Sequence, residues 1–168
     1  AQSRDNRDSR ALVGLKWEGL AKTTGSAKAG YQHKSFDSEN RDSFSGSTVE
    51  LGLIWQPLQY STFTANANSA AKDSETVGDY IEELGASVGW LHAWTEQFDT
   101  SLQLMYSNDD YVGISRSDDT ANMMLNLNYT VNRWLKVTAG YELTNKDSDA
   151  ADISYDKNAA TLGVVVAL

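Results

Sequence analysis

Period-two hydropathy, an apolar alternation that runs to the last residue, and connections that sort into short and long predict an all-β chain. The expected architecture is an antiparallel, up-and-down transmembrane β-barrel. The final stretch, NAATLGVVVAL (Asn158 to Leu168), shows the first two features together: Leu162, Val164, Val166 and Leu168 alternate with Thr161, Gly163, Val165 and Ala167. A strand that stops on its apolar face with no polar tail suits the closing strand of a barrel in lipid. Those four residues are its expected lipid face.

Composition is compatible with this fold and excludes several others. Among 168 residues there are 14 basic and 23 acidic side chains, a net charge of −9. That balance argues against nucleic acid as a partner, which would require a basic face. There is no cysteine, so disulfides, thiolate metal sites and cysteine nucleophiles are absent. One proline against 12 glycines, with abundant Ser, Asn, Asp and Thr, suits strands joined by polar loops. No apolar run reaches the ~20 residues of a membrane-spanning helix. The negative mean hydropathy does not oppose a barrel, because lipid-facing and lumen-facing residues alternate. The opening AQSRDNRDSR is polar and carries no secretion signal. Residues 1–10 are expected as a loop or disordered start, and 1–168 as a single barrel domain.

Taken in order, Ala11, Val13, Leu15 and Trp17 oppose Gly14, Lys16 and Glu18 in the first strand. After a turn at AKTTG, Ala27, Ala29 and Tyr31 oppose Lys28, Gln32 and Lys34. A hydrophilic stretch, FDSENRDSFSGS, leads to Val49, Leu51, Leu53 and Trp55 set against Glu50, Gly52 and Ile54. This third strand is expected to end in a tight turn at Gln56-Pro57, because proline cannot donate to a ladder. The fourth sets Phe63, Ala65 and Ala67 against Thr62, Thr64, Asn66 and Asn68. Beyond the polar NSAAKDSETVGDY, Leu84, Ala86, Val88 and Trp90 oppose Gly85, Ser87 and Gly89, whose glycines argue against a helix here. The sixth strand carries Leu102, Leu104 and Tyr106, and SNDDYVGISRSDD follows as a long loop. Met123, Leu125, Leu127 and Tyr129 then oppose Asn122, Met124, Asn126 and Asn128. Past a turn at Val131 to Arg133, Leu135 to Leu143 alternate with Lys136, Thr138, Gly140, Glu142 and Thr144, and NKDSDAADIS leads into the closing strand. The total is roughly nine strands of about 8–12 residues, the length that crosses a bilayer at a tilt.

The turns near Thr23, Pro57, Gln97 and Asn132 are short, and those around Asp37, Asp73, Asp109 and Asp147 are long, acidic and serine-rich. Strict alternation of this kind belongs to outer-membrane barrels, with short periplasmic turns and long outer loops. Trp17, Trp55, Trp94, Phe98, Tyr129 and Trp134 adjoin the short turns and are the expected membrane-interface aromatics. Trp90 is the tryptophan left outside that belt. Tyr31, Tyr106 and Tyr141 lie toward the long loops. With an odd strand count, the first strand runs parallel to the last, which puts Ala1 outside the cell. The expectation is therefore the C-terminal part of a larger barrel, the alternative being a strand count that is off by one.

WEGLAKTTGSAKAGYQHKSF, the acidic loop before FSG, WQPLQYSTF, SNDDYVG and the closing SYDKNAATLGVVVAL together resemble the C-terminal half of the bacterial outer membrane beta-barrel protein family, of porin type. Its members often resemble components of exopolysaccharide or capsule systems. The resemblance covers nearly the whole chain and implies fold and location without catalytic residues. One departure is that the chain ends on Leu168, where many such barrels end on phenylalanine.

The two histidines, His33 and His92, form no catalytic arrangement by spacing, and no enzyme is expected. Asp109-Asp110, Asp118-Asp119 and Asp147/Asp149/Asp152 lack EF-hand spacing and are read as solvated loop acids, with no metal or cofactor expected. The expected lumen-lining set is Lys16, Glu18, Lys28, Gln32, Lys34, Glu50, Asn122, Asn126, Asn128, Lys136 and Glu142. It mixes both charge signs with amides. The leading functional expectation is a passive pore or export channel in the bacterial outer membrane, with polysaccharide as a candidate cargo. The alternatives are a scaffold barrel presenting acidic loops to a partner, and a soluble or secreted β-sandwich or fibre subunit. Expected partners are membrane lipid and lipopolysaccharide, the outer-membrane insertion machinery, and polysaccharide or other outer-membrane subunits.

Overall fold

The computed structural model describes residues 6–36, 43–74 and 78–167. Nine antiparallel strands form one sheet in strict chain order: β1 (Asn6–Leu20), β2 (Thr23–Phe36), β3 (Phe44–Leu58), β4 (Ser61–Asp73), β5 (Tyr80–Ala93), β6 (Phe98–Val112), β7 (Arg116–Asn132), β8 (Leu135–Ser148) and β9 (Tyr155–Val166). Every strand pairs only with its sequence neighbours, so the sheet is up-and-down and is not closed within this chain. A sandwich would need a second sheet packed on the first, and the described strands form only one. Among the described residues, no helix is long and apolar enough to cross a membrane.

Because side chains alternate across a strand, the cross-strand register sorts the sheet into two faces. One rung joins Leu53, Ala65, Val88, Leu104, Met123 and Leu143. An adjacent rung on the other face joins Glu50, Asn68, Gly85, Ser107 and Thr120. Burial runs opposite to that of a water-soluble protein. Val13 is 84% and Leu162 85% exposed, whereas Lys34 is 2% and Gln32 0% exposed. An apolar outer face of this extent is stable only against lipid. On β7 the outward set runs from Ala121 to Tyr129, which at a typical barrel tilt covers about 20–25 Å, close to the hydrocarbon thickness such barrels span.

The short-turn end follows turn chemistry. Ala21 and Lys22 both have positive φ, 50° and 60°, the type I′ geometry that matches the twist of a two-residue hairpin. Thr23 is already in β2; its hydroxyl donates to the Leu20 carbonyl and accepts from Trp17 Nε1. Pro57 does not end β3, contrary to the sequence expectation. The strand runs to Leu58 and turns at Gln59–Tyr60. The register shifts between Trp55 and Leu58, and proline is tolerated in such an irregularity because no ladder bond is required of its nitrogen. The β7–β8 turn likewise falls at Arg133–Trp134, beyond a shift between Thr130 and Asn132.

At the other end the strands outrun the expectation. They are 12–17 residues long, and Asn6–Arg10, read as loop, belongs to β1; residues 1–5 lie outside the described part. SNDDYVGISRSDD is nearly all strand, with its turn confined to 113–115. The strict alternation of short and long connections therefore breaks at β6–β7. Hydropathy alternates only where one face meets lipid; beyond that edge both faces meet water, and the ladder continues without a hydropathy signal.

One part of the wall is closed by a side chain. The β3–β4 ladder starts only at Val49 opposite Ser69. Above it, Gln32 on β2 reaches to β4, where its Oε1 accepts from Ala71 N (3.0 Å) and its Nε2 donates to Ala71 O (3.0 Å). Its strand partner on β3 is Gly46, over which the Phe44 ring lies, 2.6 Å from where a Cβ would stand. The carboxamide supplies the donor and acceptor that a strand residue would.

Two outcomes follow from this architecture. Leu104→Arg, on the outward face, should lower the unfolding free energy in lipid by about 2–4 kcal/mol, while Gln103→Arg on the opposite face should cost a small fraction of that, read from denaturant titrations in vesicles. Gln32→Ala should leave a buried N–H and C=O unpaired, and so cost about 2–4 kcal/mol; amide exchange at Ala71 should accelerate with it.

Candidate functional site

The polar face holds the chemistry. Lys28 pairs with Glu50 at 2.8 Å, and Arg10 approaches the same carboxylate at 4.0 Å. Lys34 pairs with Asp73 at 2.7 Å and lies 3.9 Å from Asp8. Gln32 Nε2 also donates to Asp8. Asn122 donates to Glu142 (3.0 Å) and Thr144 (2.8 Å), and Glu142 lies 3.7 Å from Lys157. Asn126 donates to Ser101 and Asn128 to Asp99. Lys136 stands opposite Thr130 and Val165 on this face. Lys16 and Glu18 pair with each other at 3.1 Å at the exposed short-turn end, with Glu18 inside the irregularity after Trp17. By register, ten of the eleven residues selected by alternation fall on the polar side, Glu18 lying in the irregularity, and their contacts form several local networks. A single lining ring does not form.

The sequence reading missed the densest of these networks, because it lay in segments taken as loop. Lys72 meets Glu83 at 2.6 Å and Asp109 at 3.0 Å. Asp109 stands opposite Asp118 across β6–β7. Asp118, 1% exposed, accepts from Arg116 Nε (2.9 Å) and Nη2, Lys146 (2.8 Å) and Ser148 Oγ (2.6 Å). The Arg116 guanidinium lies 4.1 Å above the Tyr111 ring, a cation–π contact that fixes the hairpin tip. Two carboxylates facing each other would repel; here cations on both sides bind them. The Arg116 hydrogen bonds, helped by Lys146 and Ser148, hold the Asp118 carboxyl well below the usual carboxylate range and outweigh its burial. Period two, continued past Asn68 to Lys72 and past Asn122 to Asp118, was the signal available.

The outward surface at this level is acidic. Glu82 faces Asp110 across β5–β6, and Asp119 faces Asp147 across β7–β8. Asp119 accepts from Tyr106 Oη (2.6 Å) and Asn108 (3.0 Å), which lower its pKa. Asn145 donates to Asp156. Among the described residues no three His, Asp or Glu side chains converge to hold a metal.

The aromatics collect at the short-turn end of the outward face. Trp17 stands opposite Gly25, where a Cβ would lie 2.3 Å from its ring. Trp55 and Phe63 are 5.3 Å apart by centroid and Phe63 and Trp90 6.3 Å, so Trp90 joins the belt from which the sequence reading left it out. Phe98 faces Tyr129, and Trp94 and Trp134 lie in turns. Trp90 and Trp94 donate to Ser61 and Thr100. His92 lies among Tyr60, Trp90 and Trp94, the last at 4.3 Å, and its Nδ1 is buried with no hydrogen-bond partner among the described residues. His33 Nδ1 meets Ser45 Oγ at 2.6 Å. Both histidines occupy outward positions. Leu162, Val164 and Val166 lie outward on β9; Leu168 is outside the described residues.

Known proteins agree with this geometry. The profile of the family described as "Putative beta-barrel porin 2" matches residues 1–168. The fold is similar to that of the FrpB iron transporter from Neisseria meningitidis (F3-3 variant), with a TM-score of 0.69, 12% identity, and 90% of this chain covering 26% of that one. It is also similar to OmpT, an outer membrane protein of Vibrio cholerae, in two forms. The loop L8 deletion mutant gives a TM-score of 0.61 at 14% identity, 95% of this chain covering 53% of that one. Outer-membrane-expressed OmpT gives 0.61 at 12%, with 96% and 56% covered. The chain thus spans from a quarter to just over half of these proteins. No curated protein matches it in sequence.

The lowered pKa of Asp118 has a definite sign. Its stabilising contribution is complete above the ordinary carboxylate range near about 4 and is lost as pH falls through the depressed folded value. Amide protection of the β6–β8 tips should therefore persist at pH 4. Asp118→Asn should reduce that protection at pH 7, by about 2 kcal/mol locally, and flatten its acid dependence in hydrogen-exchange measurements.

Proposed function

The chain belongs to the "Putative beta-barrel porin 2" family and lies in the bacterial outer membrane, and from that premise we propose that it forms wall of a passive pore or export channel. The observation that carries the reading is the inverted sheet: a charge-paired, amide-rich face on one side and an uninterrupted apolar face on the other. In a barrel the polar face turns inward. About eight strands fill their own interior with side chains, whereas roughly sixteen leave an aqueous channel; the barrels similar to this chain extend well beyond the length it covers. Lys28–Glu50 joins neighbouring strands and Lys72–Glu83–Asp109 runs across β4, β5 and β6, so both lie along the wall.

Polysaccharide is the cargo that the family resemblance favours for the export reading. The wall is read as non-enzymatic, since both histidines sit on outward positions, away from any substrate in the lumen. Outward Leu162, Val164 and Val166 would meet acyl chains and the tryptophan belt the lipid interface. The acids above them would meet lipopolysaccharide through divalent cations. Insertion would fall to the outer-membrane assembly machinery.

A second reading is favoured by the outward acids Glu82, Asp110, Asp119 and Asp147: a scaffold barrel whose acidic rim docks a basic partner. The two separate in planar bilayers. Full-length protein should give discrete conductance steps that are nearly unchanged when all four acids are replaced by their amides. A bilayer that stays sealed at all voltages sinks the pore reading.

A further inference from the structure

Between the charged network at the long-loop end and the Asp99–Asn128 pair near the short turns, the polar face of β4 to β7 changes character. Two adjoining depressions, of about 330 Å³ and 270 Å³, lie along it. Their floor is β5, with Gly85, Ser87 and Gly89. A Cβ at Gly85 would come within 2.5 Å of Asn68 Oδ1, and one at Gly89 within 2.5 Å of Thr64 Oγ1. The glycines therefore make room for polar side chains to lie over the floor. Glu83 is the one charged residue lining either depression, and Lys72 at 2.6 Å and Asn68 at 2.7 Å occupy its carboxylate.

Two of the hydrogen bonds within this track are long, and one amide is incompletely satisfied. Asn66 reaches Ser87 at 3.3 Å and Asn126 reaches Ser101 at 3.4 Å, beyond the usual N–H···O distance of about 2.9–3.0 Å. Asn122 is oriented by its two donated bonds, to Glu142 and Thr144. That leaves its Oδ1 buried with no donor among the described residues, an omission that native interiors rarely carry. Its cross-strand neighbour Met105 lines the same depression and is flexible enough to yield to a ligand.

We propose that this track binds an uncharged, polyhydroxylated solute, a linear oligosaccharide without carboxylate or phosphate groups. An ion finds no unpaired countercharge here. An apolar solute would leave the amides unpaired, which is unfavourable for buried polar groups. A hydroxyl both donates and accepts, so it satisfies amide N–H, amide O and serine Oγ in turn as the solute moves. Tyr106 and Trp90 border the two depressions from outward strand positions, while the polar-face positions of β4 to β7 along the track carry no aromatic ring, so recognition is mainly by hydrogen bonding, weak and rapidly exchanging. The assignment rests on the pore reading for its part in transport, while binding itself is measurable apart from conductance.

The test uses full-length protein in detergent micelles, with maltohexaose as the uncharged probe and a galacturonic acid hexamer as the charged one, by isothermal titration calorimetry. Maltohexaose should bind in the millimolar range and the uronate at least about tenfold more weakly, as the loss of about 1.4 kcal/mol implies. Asn66→Ala and Asn126→Ala should each weaken maltohexaose by about fivefold. Ser87→Lys should reverse the preference toward the uronate, and it stays informative if an alanine variant does not fold. No measurable binding of maltohexaose, an unchanged affinity in the double alanine variant, or tighter binding of the uronate by the wild type overturns the proposal. Binding without conductance keeps the site and sinks the pore; conductance without binding does the reverse.

Discussion

Hydrocarbon offers no hydrogen-bond partner, and this governs the whole sheet. Each N–H and C=O between the belts must find its mate on the next strand, which accounts for nine strands paired in unbroken chain order. The same condition inverts the usual placement of side chains. Leucine and valine face outward because nothing there competes for hydrogen bonds, and lysine, glutamate and asparagine face the other way because only that side is wet. Val13 and Lys34, at opposite extremes of exposure, follow from one rule.

The net charge of −9 is reconciled with a membrane wall by its placement. On the polar face, acids and bases occur as neighbours across the ladder, so fields cancel over short distances. On the outward surface past the lipid edge, acids face each other across the ladder in pairs such as Glu82–Asp110 and Asp119–Asp147. Like charges opposite each other cost stability in a sheet, and two-sided hydration of the strand ends offsets part of that cost. The contrast with Asp109 and Asp118, bound by Lys72, Arg116 and Lys146, shows that pairing is reserved for the side where charges are crowded.

How much of this was readable in advance depended on which solvent each residue met. From Leu162 to Val166, or Leu53 to Trp55, lipid on one side forces alternation, and strand, face and order could all be read from it. The ends of the strands could not: Asn108, Asp110 and Lys146 have water on both sides, so strand and loop share one composition there. The network around Asp118 was missed for that reason, and with it the closest contacts of the polar face. Turn positions slipped by a few residues at Pro57 and Arg133 because a bulge leaves no mark on hydropathy. Trp90 was assigned by its place along the chain, but its tie to Phe63 and Trp94 comes from neighbouring strands.

The carboxamide of Gln32 pairs with Ala71 beyond the start of the β3–β4 ladder, a stretch of barrel wall made by one side chain. Ordinary ladder positions are interchangeable, because backbone pairing is indifferent to residue type. Position 32 is not: a shorter amide falls short, and a carboxylate cannot donate to the Ala71 carbonyl. Position 32 is thus coupled in descent to the length of the β3–β4 ladder. Where β3 and β4 instead pair along their full length, glutamine at 32 loses its purpose, and the exchange of one solution for the other should be visible as a joint change among relatives of this chain.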